Sequence, residues 1–360
     1  MMRLFLIFFF IVCLNALGQD PTNTAFYYNR LELNPSYAGG DGDGKLRTSL
    51  VNRNSFQPFR GPHNFSTFSI DYGFCGLPNT NLGIGLIANN EIQGDGFLKI
   101  NKLDFVLGIT QKLSRSLNGS VGFRMGYIFQ NVDWNEFIFS DQLDPIRGIV
   151  RPSSNQNANL DFSTVNNWSA GGRLNGWASK KRIWSVGFAV FNIAEPRIGL
   201  LNRYPIYRRI SLHGGMLFKS NPNYIDNSIM ILARFDKQSN FSTSDFFSEY
   251  FINKNVSLGF GVRRVLFNNK VFNANMLYPS IYFGFQPNGN FKIFALYENN
   301  IFGNSVIGKT NNFEVGLIFA PRQKACGLRD LKHIIFGMGP EKVPYLSCPT
   351  FFNSELIQTF

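Results

Sequence analysis

Past its first residues this chain has no long apolar run, little charge and almost no histidine, and each shortage removes a class of protein. No stretch after Leu14 approaches the ~18 consecutive apolar residues of a membrane-crossing helix. Only His63, His213 and His333 occur, and none stands at a metal-ligand spacing from a cysteine, an aspartate or another histidine. There is no nucleophile elbow, and the glycines alternate along extended stretches instead of gathering in a phosphate loop. A Ser–His pair built on His213, at the lipid face or rim of a barrel, is the one catalytic alternative. Otherwise no enzyme, cofactor or metal is expected.

Charged residues make up only 16% of the chain, with a net charge of +12. The lysines and arginines are scattered, which is no nucleic-acid footprint. Anionic lipopolysaccharide, or an acidic face on a partner, suits a basic exported protein better.

Export is written into the amino terminus. Met1-Met2-Arg3 supplies a charged start, Leu4 to Leu14 an apolar core, and Ala16-Leu17-Gly18 a small-residue exit, so a signal peptide over 1–18 with cleavage before Gln19 is expected. Val12 before Cys13 does not suit a lipoprotein. Processing leaves Cys75, Cys326 and Cys348. Export permits disulfides, and Cys326 with Cys348 in one tail is the natural pair, although spacing alone does not fix connectivity.

What the chain has in quantity is alternation. In Leu82-Gly83-Ile84-Gly85-Leu86, Val121 to Tyr127, Val256 to Val262 and Phe313 to Phe319, apolar residues fall at every second position. Residues i and i+2 of a strand share a face, so each segment has one greasy side and one small or polar side. Such segments are expected at 45–53, 63–74, 80–90, 98–113, 118–132, 162–178, 181–192, 207–219, 226–239, 242–253, 255–265, 275–286, 290–300 and 310–320. The pair 242–265 is the least regular, because Phe246, Phe247, Tyr250, Phe251 and Ile252 do not alternate strictly.

A mean hydropathy of −0.08 would ordinarily describe a soluble chain, but barrel strands show lipid only alternate residues. An aromatic share of 16%, with 39 Phe, suits lipid-facing strands better than a soluble all-β sandwich. Long connections (54–62, 91–97, 133–161, 193–206, 266–274, 301–309) alternate with short ones (75–79, 114–117, 179–180, 287–289), the loop-and-turn asymmetry of outer-membrane barrels. The expected fold is therefore all-β: a transmembrane outer-membrane barrel of about 14 antiparallel strands over 45–320, with both chain ends periplasmic. Residues 19–44 read as a periplasmic or plug segment, outside the wall or tucked into its mouth, where it could plug or gate the opening. Residues 321–360 form a periplasmic tail, disordered or partly packed.

On this parity the lumen collects Arg124, Arg173, His213, Arg234, Arg263, Lys292, Glu298 and Glu314. Phe123, Met125, Phe260, Phe291, Ile293, Val315 and Leu317 face lipid. An Arg or Lys on the lipid face near the midplane costs about 2–4 kcal/mol, so segregation of charge to one parity is itself a barrel signal. The mostly cationic lumen would select anions or hold an acidic segment, or its side chains simply pair and fill the interior.

Gln19-Asp20-Pro21, Phe26-Tyr27-Tyr28-Asn29 and Asn34-Pro35-Ser36-Tyr37-Ala38-Gly39 resemble the opening of the PorP/SprF family of type IX secretion and gliding motility, with Ser36 in place of the usual Ala. Asn52-Arg53, Gly61-Pro62, Phe68 to Asp71, His213-Gly214-Gly215 and Phe313 to Leu317 are similar to later family blocks, so the resemblance spans 19–320. The tail after Ala320 is extra, and Asn54-Ser55-Phe56-Gln57 replaces the usual Gln-Trp. The resemblance implies an accessory outer-membrane barrel that engages the C-terminal domain of a secreted, adhesin-like cargo and works with secretion or gliding components. A solute or fatty-acid channel with an N-terminal plug is the alternative.

Overall fold

The computed structural model describes residues 20–39, 46–57, 61–77, 80–94, 98–114, 116–132, 142–144, 146–150, 162–199, 204–222, 225–268, 273–300 and 310–321. The leader and the pair Cys326–Cys348 lie outside the described residues, as does the tail beyond Pro321.

Among the described residues eighteen strands follow a short helix, α1 (Arg30–Leu33), and a 3-10 turn at Pro35–Tyr37. They are β1 (Leu46–Gln57), β2 (Gly61–Leu77), β3 (Thr80–Gln93), β4 (Leu98–Lys112), β5 (Leu117–Val132), β6 (Leu143–Asp144), β7 (Gly148–Ile149), β8 (Phe162–Ser179) and β9 (Arg182–Phe191). Then come β10 (Arg197–Ile198), β11 (Tyr204–Pro205), β12 (Arg209–Phe218), β13 (Ser228–Gln238), β14 (Phe241–Phe251), β15 (Val256–Asn268), β16 (Asn273–Asn288), β17 (Phe291–Asn299) and β18 (Asn311–Phe319). Fourteen of them form one closed antiparallel barrel in chain order, sealed by pairing of β1 with β18 from Thr48–Phe319 to Phe56–Asn311. The two remaining pairs, β6–β7 and β10–β11, are small hairpins in the β5–β8 and β9–β12 connections. Each of the fourteen expected segments holds a barrel strand.

The two-residue rhythm becomes two faces. Along β13 and β18 burial alternates residue by residue. Outward positions such as Leu86, Val121, Phe188, Phe260 and Ile281 are exposed apolar side chains. In water they would be unfavourable; in hydrocarbon they are the surface a barrel needs. Closure leaves no edge in the barrel, so each of its fourteen strands pairs on both sides.

The strands run further than the apolar bands that announce them. β1 reaches Gln57 and β2 starts at Gly61, so most of the expected loop 54–62 is ladder; the same happens at 266–274, and β3 runs to Gln93 into the expected loop 91–97. Polar residues there continue the main-chain pairing, as Asn52, Asn54, Asn64 and Ser66 do through mutual side-chain hydrogen bonds. On this side, here called the loop mouth, the hairpin-bearing connections and the β17–β18 connection are long, while β13 and β14 are joined by Ser239-Asn240 alone, with Ser239 at φ 48°. The opposite, turn mouth is where β1 begins and β18 ends. Its connections are short apart from the one between Phe218 and Ser228.

Candidate functional site

The barrel is not empty. Residues 20–39 run through it, and nearly all from Asn23 to Gly39 are buried. The segment starts at the loop mouth. The Asp20 carboxylate accepts from Lys102 Nζ (3.0 Å), Asn192 Nδ2 (2.7 Å) and Gln238 Nε2 (3.2 Å), and Asp20 N–H donates to Gln238 Oε1 (2.9 Å). Gln238 ends β13 and Asn192 follows β9, which fixes this end at the loop rim. The segment descends to Tyr28 near the turn mouth, rises through α1 and descends again. At Gly39 its N–H meets Asp71 Oδ2 at 3.2 Å. Of the places open to this segment, outside the wall, in the mouth or as a plug, residues 20–39 take the interior and cross the lumen.

One half of the lumen is aromatic. Tyr27 packs on Phe247 at 5.0 Å, and Tyr28 stacks on Phe294 (4.9 Å) and Tyr282 (5.8 Å). Burying each ring contributes about 1.5–3 kcal/mol. This explains the irregular alternation of β14: Phe246 and Tyr250 face out, while Phe247 and Phe251 turn inward onto the segment's aromatic run. Both faces are apolar because one meets lipid and the other meets Phe26-Tyr27-Tyr28. The Tyr28 hydroxyl reaches both Glu249 oxygens at 2.9 Å while accepting from Lys292 Nζ.

The other half is a track of glycines. The Asn34–Gly39 stretch lies on inward glycines of β2, β3, β4, β5, β8 and β9. A Cβ at Gly83 would stand 2.1 Å from the Ala38 carbonyl oxygen, and one at Gly122 2.3 Å from the Pro35 carbonyl carbon. Only absent side chains let two backbones approach this closely. Asn34 Nδ2 donates to the carbonyls of Gly172 and Phe188, both at 3.1 Å, and its Oδ1 caps Ser36 N–H at 2.9 Å. Gly39 adopts φ 57°, the left-handed bend that directs the chain out. The Asn-Pro-Ser-Tyr-Ala-Gly motif and the strand glycines are thus two halves of one contact.

The structure puts all eight expected lumen residues inside the wall, each buried. Arg124 bridges Glu32 (2.7 Å) and Asp104 (2.5 Å). Arg173 lies over the Tyr37 ring at 4.0 Å, and His213 packs near the same ring at 6.0 Å. Arg234 and Arg263 share Asp245, the latter at 2.7 Å, and donate to the Asn23 carbonyl at 3.0 and 2.8 Å. Lys292 pairs with Glu249 at 2.9 Å. Glu298 binds Arg53 at 3.1 Å and the Thr24 hydroxyl, and Glu314 accepts the N–H groups of Thr24 and Ala25 at 2.8 and 3.1 Å. Their outward neighbours Met125, Phe260, Phe291, Ile293, Val315 and Leu317 are exposed, and Phe123 is half-buried with its ring centroid 5.5 Å from that of Trp168.

A mostly cationic lumen is also corrected. Asp71, Asp104, Asp245 and Glu249 are buried wall carboxylates that sequence reasoning missed, and with Asp20 and Glu32 of the segment they balance the cations. Parity could have found Asp104, two residues before inward Val106; Asp245 was hidden by the aromatic irregularity of β14. Glu32 pairs with Arg124 at 2.7 Å and lies 3.9 Å from Arg209. At the loop rim burial pushes the Asp20 carboxyl up, but the Lys102 and Arg209 cations outweigh it and hold Asp20 below the usual range. The segment touches every barrel strand. It meets β12 through Arg209 (3.9 Å from Glu32), β15 through Arg263 and β16 through Tyr282. A void bounded by Phe26, Leu33, Tyr37, Ser185, His213 and Leu232 has no room for a water molecule.

Chemistry beyond packing has few candidates. His213 is buried with neither ring nitrogen hydrogen-bonded, away from the lipid face and the rim, so it does not form the surface Ser–His pair that the sequence left open. Among the described residues no group of three His, Cys, Asp or Glu is arranged to hold a metal ion.

A closed fourteen-stranded wall with an apolar exterior and an ion-paired lumen defines a transmembrane outer-membrane β-barrel whose interior is filled by its own chain. The sequence pattern described as type IX secretion system membrane protein PorP/SprF matches residues 15–319, and the chain belongs to that family. Curated protein sequences give no match. Among solved structures the chain is similar to the TodX deltaS2S3 mutant monoaromatic hydrocarbon channel (10% identity, 81% of this chain and 93% of that one, TM-score 0.51). It also resembles the CymD monoaromatic hydrocarbon channel (12%, 82% and 93%, 0.48) and the P. putida toluene transporter TodX (10%, 81% and 93%, 0.45). At these identities the likeness concerns fold alone.

Proposed function

We propose that this barrel is an accessory component of type IX secretion that binds a secreted or surface-anchored, adhesin-like cargo through the cargo's C-terminal domain and supports its export or anchoring. Membership of the PorP/SprF family supports a place among secretion components. The observation that carries the reading is the occupied lumen: a segment in contact with every barrel strand fills the interior among the described residues, so the useful surface is at the mouths. In this reading the loop mouth faces outward and the short turns and tail face the periplasm, following the loop asymmetry of such barrels. The β6–β7 hairpin there exposes Leu143, Ile146 and Ile149, with Ile146 at 94% exposure, an apolar tip on a loop that needs no apolar residue for folding. No catalytic step is part of this role.

Deletion of the gene tests it. The envelope should stay intact while one or a few secreted proteins accumulate inside; failure of all secretion, or of none, would refute the reading. A solute channel, the second reading, rests on the barrel architecture alone. Purified protein in planar bilayers separates the two, since steady, solute-selective conductance would favour the channel.

A further inference from the structure

The two ends of the luminal segment open on opposite mouths. Gly39 is tied to Asp71 in the turn-mouth half, and β1 begins at Leu46 on that side. Asp20 is clamped at the loop mouth by both its main chain and its side chain, with Gln238 serving each at 2.9 and 3.2 Å. A plug pushed in from the turn mouth would return both ends there; here only one returns. The clamp is also tied to a loop, because Asn192 Nδ2 and Gln238 Nε2 each donate to the Tyr207 carbonyl, at 3.2 and 3.0 Å. Tyr207 lies two residues after the end of the β10–β11 hairpin, whose Tyr204 is exposed.

We propose that the amino-terminal end of the mature chain is presented at the loop mouth, beside the β9–β12 and β13–β14 connections, and forms part of the surface that the cargo protein meets. This deepens the proposed function and rests on its orientation for placing that end outside the cell; the threading itself does not. It also departs from the sequence expectation that both chain ends hang on one side, because Ala320 N–H bonds the Asn290 carbonyl (2.8 Å) at the turn mouth. Parity and loop lengths count strands from β1 onward, and carry no information about a segment that crosses the lumen before β1.

The test is epitope accessibility in cells expressing the full chain. One short epitope is inserted between Gln19 and Asp20, the same epitope after Arg147 in the β6–β7 hairpin, and the same between Lys180 and Lys181 in the β8–β9 turn. The amino-terminal epitope should be stained under the same condition, intact or permeabilised cells, as the Arg147 epitope, and opposite to the Lys180–Lys181 epitope. Staining together with Lys180–Lys181 would overturn the proposal. If the amino-terminal and Arg147 epitopes both stain only after permeabilisation, the threading is supported and the outward orientation of the proposed function falls instead. Gln19→Cys, reacted with a membrane-impermeant maleimide and located by peptide mass, gives the same readout should an insertion impair folding.

Discussion

Replacing Gly83 with alanine should loosen the luminal segment, although alanine in a strand normally stabilises relative to glycine by about 0.5–1 kcal/mol. The new Cβ would lie 2.1 Å from the Ala38 oxygen, 2.3 Å from its carbonyl carbon and 2.6 Å from Gly39 Cα. All three are backbone atoms, so no rotamer change relieves the clash and the segment must retreat by roughly 1 Å or the wall must bulge. Overpacking of this kind costs about 1–3 kcal/mol. Retreat also stretches the Gly39–Asp71 hydrogen bond and the two bonds of Asn34, each contributing about 1 kcal/mol. With those bonds lost, setting the strand gain against these losses leaves a net cost of about 3–5 kcal/mol, or a shift in the docked-to-undocked ratio on the order of 1000-fold. The control is Gly172→Ala, whose Cβ would meet only the Ser120 oxygen at an ordinary 3.7 Å and which should be neutral or slightly stabilising. Thermal unfolding in detergent, with limited proteolysis of residues 20–39, reads both. Equal melting and equal protection of the two variants would refute the close-approach argument.

Asp245→Asn should lower stability by about 3–5 kcal/mol, because Arg234 and Arg263 would keep buried charges without their shared carboxylate; unchanged melting would show the site to be hydrated. Glu32→Gln should loosen the luminal segment, because Arg124 and Arg209 lose its carboxylate; unchanged protease protection of residues 20–39 would refute that tie. Ile146→Asp should leave melting unchanged yet weaken cargo capture by about tenfold or more, the loss of one exposed apolar anchor; undiminished capture would move the docking face elsewhere. Wild-type protein in a planar bilayer should be electrically quiet, and Gly83→Ala should show intermittent openings; a quiet variant with a loosened segment would mean that other residues block the bore.

Strand number, strand positions and the division of residues between lipid and lumen were legible because the pleat has a period of two and burial on either side selects for it. Arg124 and Glu314 fall on the inward parity however the barrel is drawn, since an outward charge at mid-depth is costly. Strand ends were not legible: the apolar band marks the hydrocarbon thickness, whereas pairing continues through polar residues such as Asn54 and Asn64, as the β1–β2 ladder does.

The amino-acid order by itself determined a barrel of about fourteen strands, an amino-terminal segment of different character and the family opening that goes with it. Tertiary structure alone decided where that segment lies, which carboxylates neutralise the lumen, and why the glycines of β3, β5 and β8 carry no side chain. Alternation is a local property, set by one strand against its surroundings. The fit between Ala38 and Gly83, or between Thr24 and Glu314, joins residues far apart in the chain and exists only once the wall has closed around them.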